Sequence, residues 1–168
     1  SSAGRMSLAL HAAACVTQQG DLVAWIDLND SLDPLSVEGA GVALDRFIWL
    51  RLPDSHFERQ AFQAAEEIIC SHAFRLIVFD LVGDRIVSNG GSRWMRLRRA
   101  LRGTSISCLA LTGLRQGFVG GEWAILCKTR MPRSLSPSRR LYICEVRYQR
   151  NGPSGQKISF TVPAERFV

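Results

Sequence analysis

The stretch "SSAGRMSLALHAAA", residues 1–14, has the outline of the second half of a phosphate-binding loop running into a helix. In such a loop, glycine-rich backbone and a helix N-terminus surround phosphate with N–H groups. A lysine adds a point charge, and Ser/Thr supplies a magnesium ligand, in the pattern G-x-x-x-x-G-K-[ST]. Gly4 fits the last glycine, but Arg5 stands at the lysine position and Met6 at the hydroxyl position. Arg5 keeps the charge on a longer, planar fork. Met6 has no hydroxyl, and Ser7, one residue later, is rotated by about 100° on a helix. A second piece is "RLIVFDL", an apolar run closed by Asp80. A carboxylate at such a strand end is the kind that holds magnesium in phosphoryl-transfer sites.

The elements that must position these residues alternate. A helix is predicted over Met6–Gln19, a buried strand over Leu22–Leu28, and a turn with a short helix after Pro34. A second strand is predicted over Phe47–Arg51. Asp54 or Ser55 can cap a helix from His56 to Ser71, with Phe57, Ala61, Ala64, Ala65 and Ile68 facing inward. A third strand follows over Leu76–Leu81, then a helix capped by Ser92 and reaching Arg102, then a strand over Ser105–Leu111. From Trp123 the pattern becomes strands joined by turns: Trp123–Arg130, Leu141–Tyr148 and Lys157–Val162, with "MPRSLSPSRR" and "RNGPSG" as turns. The expected fold class is α/β: a central, mostly parallel sheet flanked by helices, with an antiparallel C-terminal edge.

The 168 residues suit one domain, 1–168, with a substantial core. No apolar run reaches membrane-spanning length, and no signal peptide is recognisable. The five cysteines form no C-x-x-C pair and lie in apolar stretches, so buried, reduced thiols are expected. His11, His56 and His72 do not join them at metal-ligand spacing, so no metal site is expected.

Charge is unevenly spread. Residues 1–91 carry a net charge of −6 and residues 92–168 a net charge of +12, and 19 of the 21 basic residues are Arg. Such asymmetry points to an anionic partner for the second half. The helix over Ser92–Arg102 puts Trp94, Leu97 and Leu101 on one face and Arg96, Arg98, Arg99 and Arg102 on the other, with Arg93 in its first turn. Solvated helices ordinarily mix charge signs, so this face reads as a phosphate contact or a dock for an acidic partner, against the plainer reading of a solvated face. Arg85, Arg115 and Gln116, in glycine-bearing loops, are further candidates, and Phe118 has the chemistry to stack on a base. Trp25, Trp49, Trp94 and Trp123 read as core.

Taken together, these residues resemble the RecA recombinase family over nearly the whole chain. "GRMSLALHAAA" is similar to its loop-to-helix entry, and "AWIDLNDSLDP…GVALDRFIWLRLPD" to its second strand, Leu-Asp-Pro turn and third strand. "RLIVFDLVGD" resembles its carboxylate-bearing strand and "SRWMRLRRALR" the helix after its first DNA-binding loop. "CLALTGLRQGFVGG" falls at its second DNA-binding loop, and "LYICEVRYQRNGP" resembles a late strand and turn. The resemblance implies a RecA-like fold whose first phosphate-loop half, and anything upstream, is not in the chain. It also places a catalytic glutamate near "PDSHFERQAF", where Glu58 fits in one register and Arg59 in another. Thr112 and Gly113 fall where the family carries a nucleotide-sensing Asn-Gln pair. Arg147 is a match for a late-strand lysine that reaches the neighbouring subunit's nucleotide; Gln149 and Arg150 leave a second such lysine unmatched.

Losing the lysine, the magnesium hydroxyl and the sensor amide removes three functions of one site. The expectation is a degenerate nucleotide site formed by Gly4, Arg5, Met6, Ser7, Asp80 and Glu58, with no cofactor and no catalysis. Within the family the chain is most similar to the ImuA group, RecA-like accessory factors of the bacterial mutagenic translesion-synthesis machinery. That implies a cytoplasmic, nucleoid-associated scaffold of the SOS response. Its implied partners are an ImuB-like Y-family protein, RecA itself, an error-prone C-family polymerase indirectly, and DNA. An active DNA-dependent ATPase, requiring ATP and magnesium, and a SulA-like cell-division inhibitor are the alternatives. A further expectation is that Arg5 fills the vacated site by forking onto the Asp80 carboxylate.

Overall fold

The computed structural model describes residues 4–52, 57–81, 91–112, 123–130, 139–149 and 157–163. In chain order the elements are α1 (Arg5–Gln18), β1 (Leu22–Asp27), α2 (Pro34–Gly39), a 3-10 turn (Leu44–Arg46), β2 (Phe47–Arg51), α3 (Phe57–Ser71) and β3 (Phe74–Asp80). Then come α4 (Gly91–Leu101), β4 (Ser107–Leu111), β5 (Trp123–Arg130), β6 (Arg139–Gln149) and β7 (Lys157–Pro163). The first four strands make an all-parallel sheet in the order β2-β1-β3-β4.

Continuous apolar runs make the two central strands, because helices cover both faces of a parallel sheet. Alternation along each strand then sorts the side chains into two cores. Val23, Trp25, Leu76 and Val78 pack with Ala9, Leu10 and Ala13 of α1. Ile26, Leu28, Ile77 and Phe79 pack with Ala61, Phe62, Ala65 and Ile69 of α3 and Trp94 and Leu97 of α4. The face α3 buries is turned slightly from the expected one: Phe62 and Ile69 are core, while Ala64 and Ile68 are half-buried. The ring of Phe62 reaches Trp94 edge-on at 4.6 Å, and no adjacent-residue pattern encodes that cross-helix contact.

Helix α1 starts at Gly4, which adopts φ 85°, a left-handed conformation that a side chain would strain. Its far end is tied down by Thr17, whose hydroxyl donates to Ala13 O and accepts from Ala43 N. Helix α4 begins at Gly91, so Ser92 lies inside the helix rather than capping it. Asp54, Ser55 and His56 lie outside the described residues.

The C-terminal strands depart from the expected antiparallel edge. They form their own sheet, β5-β6-β7, antiparallel throughout, and among the described residues no strand pairing joins it to the parallel sheet. Hairpin neighbours satisfy one another's backbone groups without needing the parallel sheet. Arg139 and Arg140, expected in a turn, open β6.

Two cysteines also depart from expectation. Cys15 and Cys70 are exposed, because the alanine-rich α1 and the end of α3 are apolar around more of their circumference than they bury. Cys108 packs against the second core cluster, and burial pushes its thiol up to about 12. At pH 8 it stays protonated and unreactive. Iodoacetamide labelling of the native protein, followed by peptide mapping, should therefore modify Cys15 and Cys70 at least about 100-fold faster than Cys108. Equal rates would show that the β4 region opens freely.

Candidate functional site

The connections set where a ligand site belongs. From β1 the chain moves to β2 on one side, and from β3 to β4 on the other. The crevice between the carboxyl ends of β1 and β3 is thus the switch point of the sheet. Asp27 and Asp80 close these two strands and are register partners. Both carry side chains on the α1 face, the face that meets Trp25 and Val78. Asp27 is 1 % exposed and Asp80 fully buried.

Asp27 is the hub. Its Oδ1 accepts from Asn29 N and Ser31 N at 3.1 Å each, and its Oδ2 from Leu32 N at 3.0 Å and Trp49 Nε1 at 3.2 Å. One carboxylate thereby shapes the turn after β1 and pins it to β2. Within that turn Asp30 takes a positive φ of 54°, which Asp tolerates better than most residues. Arg51 engages Asp30 with both Nε and Nη2 while lying over the Trp49 ring at 5.0 Å. The Arg51 hydrogen bond holds the Asp30 carboxyl below its ordinary value. Next, Asp33 caps α2 by accepting from Ser36 N, with Pro34 in the first helical turn; hydrogen bonds from the Ser36 hydroxyl and backbone lower its pKa.

The turn delivers Ser31 to Asp80: the Ser31 hydroxyl donates to Asp80 Oδ2 at 2.9 Å. This corrects the expectation for Arg5. Among the described residues, Arg5 makes no ion pair with Asp80, and its Nε is buried without a hydrogen-bond partner. The carboxylate is met by a hydroxyl from the β1 turn, which Asp27 holds in place, instead of a guanidinium from α1. Met6 is half-buried and packs against the first core cluster, and Ser7 is buried. Asn29 Nδ2 is also buried without a partner.

A RecA N-terminal domain profile matches residues 1–89, more than half of the chain. The chain belongs to the RecA family. Protein RecA of Lactococcus lactis subsp. cremoris (strain MG1363) is 40% identical over 81 residues, 48% of this chain and 20% of its own length. Protein RecA of Treponema denticola is 38% identical over 81 residues, 48% of this chain and 19% of its own. Protein RecA of Bacillus pumilus is 40% identical over 81 residues and covered to 22%. The match thus spans about a fifth of the length of these relatives.

In this RecA-family core the remaining candidates do not converge on one place. Glu58, in the first turn of α3, pairs with Arg93 of α4 at 2.9 Å. Arg96 pairs with Glu66 of α3 at 2.6 Å. The arginine face of α4 therefore does meet an acid, supplied by the neighbouring helix: Arg96 of that face and Arg93 of the first turn act as interhelical ties. Arg99 and Arg102 are exposed and Arg98 is half-buried. Arg147 sits at the β-bulge where β6 places an extra residue opposite the Ala124/Ile125 step of β5. Arg85, Gly113, Arg115, Gln116, Phe118 and Arg150 lie outside the described residues. The sequence reading passes over Asp27 and Ser31, for which the signal is the run Asp-Leu-Asn-Asp-Ser, dense in residues that bond to their own turn, and it takes Trp49 for core, whereas Trp49 is half-buried and donates to Asp27. Among the described residues, no three His, Cys, Asp or Glu side chains gather as a metal site, and no helix is long and apolar enough to cross a membrane.

Proposed function

We propose that this RecA-family chain is a scaffold that does not turn over ATP and serves the DNA-damage response in the manner of the ImuA group. Its proposed partners are an ImuB-like Y-family protein, RecA, an error-prone C-family polymerase indirectly, and DNA. The observation that carries this reading is the Ser31–Asp80 contact. A magnesium site needs a carboxylate open to the ion and its waters. Here the carboxylate is buried, and one of its oxygens accepts the Ser31 hydroxyl. Met6 contributes a half-buried thioether, packed against the first core cluster, where a hydroxyl ligand is required. The residues present do not fit a magnesium–nucleotide complex. Phosphoryl transfer relies almost wholly on positioning and charge neutralisation, so a site with that donor set lacks the means.

The active DNA-dependent ATPase is favoured by one finding, the kinship to RecA: 40% identity to Protein RecA over 81 residues, and a RecA N-terminal domain match over residues 1–89, which span both phosphate-site segments. Turnover measured with and without single-stranded DNA separates the two readings. The expected rate is background under both conditions and unchanged by Asp80→Asn. A magnesium-dependent rate that Asp80→Asn abolishes would overturn the scaffold reading.

A further inference from the structure

Two groups of arginines stand apart among the described residues. Arg46, Arg51, Arg93 and Arg96 each meet a carboxylate. Arg75, Arg99 and Arg102 are exposed and make no ion pair among the described residues. Arg59 is also exposed but belongs to the first turns of α3, at the opposite edge of the sheet.

Topology gathers the first three at one rim. Helix α4 leads into β4, so its last turn lies where β4 begins. Strand β3 begins there too: Leu76 is the register partner of Ser107, which sets Arg75 beside Ile106. Along α4, Met95, Arg99 and Arg102 follow at i, i+4 and i+7, one stripe on the side away from Trp94 and Leu97. Met95, 39% exposed, begins the stripe, one turn before Arg99.

We propose that the Met95–Arg99–Arg102 stripe, with Arg75 at its foot, docks an acidic segment of a partner protein that also offers an apolar side chain to Met95. Guanidinium forks take carboxylates two bonds at a time. Exposed Met among Arg, with no Lys, Asp or Glu in the stripe, is the composition of a protein interface. Leu81 and Thr112, which the two candidate DNA segments follow, lie at the opposite edge of the sheet, so position also favours protein over nucleic acid. The proposal extends the scaffold reading, and its test does not involve the nucleotide site, so the two fail separately.

The test uses the full chain and two dye-labelled probes, a 15-residue peptide alternating Asp/Glu with Leu and a 15-nucleotide oligothymidylate. Arg99→Ala with Arg102→Ala should weaken peptide binding about tenfold or more, and Met95→Ala about threefold, with oligothymidylate binding unchanged. Melting curves within about 2 °C of the parent confirm that the variants are folded. No peptide binding by the parent chain, or peptide binding indifferent to the arginine pair, overturns the proposal. So does a neutral Met95→Ala accompanied by lost oligothymidylate binding in the arginine variant, which would make the stripe a phosphate surface.

Discussion

Replacing Asp27 by Ala is expected to destabilise the protein by about 3–5 kcal/mol, an unusually large loss for a single polar residue. Its carboxylate takes three backbone N–H groups and the Trp49 indole N–H, and the substitution leaves all four donors without their acceptor. Each buried donor left unmet costs about 1–3 kcal/mol. The Asn29 and Ser31 side of the turn retains some access to water, so the sum falls short of four full penalties. For a chain of this length that corresponds to a fall in Tm of about 8–15 °C. Asp27→Asn keeps one acceptor oxygen but turns an amide toward donors, and about half the loss is expected. Urea melts of the parent and both variants decide it. A loss under about 1 kcal/mol for Asp27→Ala would show that the turn is held by the Asp30–Arg51 pair instead. A double-mutant cycle with Ser31→Ala should be strongly non-additive, because Ser31 reaches Asp80 only while Asp27 holds its backbone.

What was legible in the sequence follows from what kind of contact each feature needs. The strands β1 and β3 were readable because burial on both faces demands an unbroken apolar run, a property of consecutive residues. The Asp80 strand end was readable for the same reason. Asp27 was legible only in part: the run Asp-Leu-Asn-Asp-Ser marks a turn that bonds to itself, but the indole 22 residues away that also meets Asp27 is announced by no residue type. The arginine face of α4 was visible as a helical stripe, but Glu58 and Glu66 come from another helix, 30 residues back in the case of Glu66. Charge arithmetic within one helix therefore overstated the free cationic surface. Phe62 and Ile69 were missed in α3 because alanines at neighbouring positions made several faces equally plausible. The antiparallel character of the C-terminal strands was readable from their turns; that no pairing among the described residues joins them to the main sheet was not, since hairpin pattern sets the pairing partner and says nothing about which sheet is joined.

Trp94→Ala is expected to cost about 3–5 kcal/mol, as large a loss as that of Asp27→Ala. Trp94 is nearly buried, meets Phe62 at 4.6 Å and 81° and Phe79 at 5.3 Å, and so links α4 to both α3 and the sheet. Truncation removes the ring's buried area and two edge-to-face contacts, and leaves a cavity among aromatic rings that cannot collapse without moving β3. Helix α4 has 11 residues, too few to hold helical form without tertiary support. Loss of Trp94 should consequently loosen α4 before the rest of the molecule, visible as faster amide exchange over 91–101 than over β1 and β3. Because the outer stripe of Met95, Arg99 and Arg102 exists only on a formed helix, acidic-peptide binding should fall in Trp94→Ala although no residue of the stripe has changed. Trp94→Phe, which keeps an aromatic edge against Phe62, should lose less than about half as much stability and retain the binding. A Tm drop below about 3 °C for Trp94→Ala, or exchange in α4 no faster than in the central strands, would show that the Arg93–Glu58 and Arg96–Glu66 ties are enough to hold the helix.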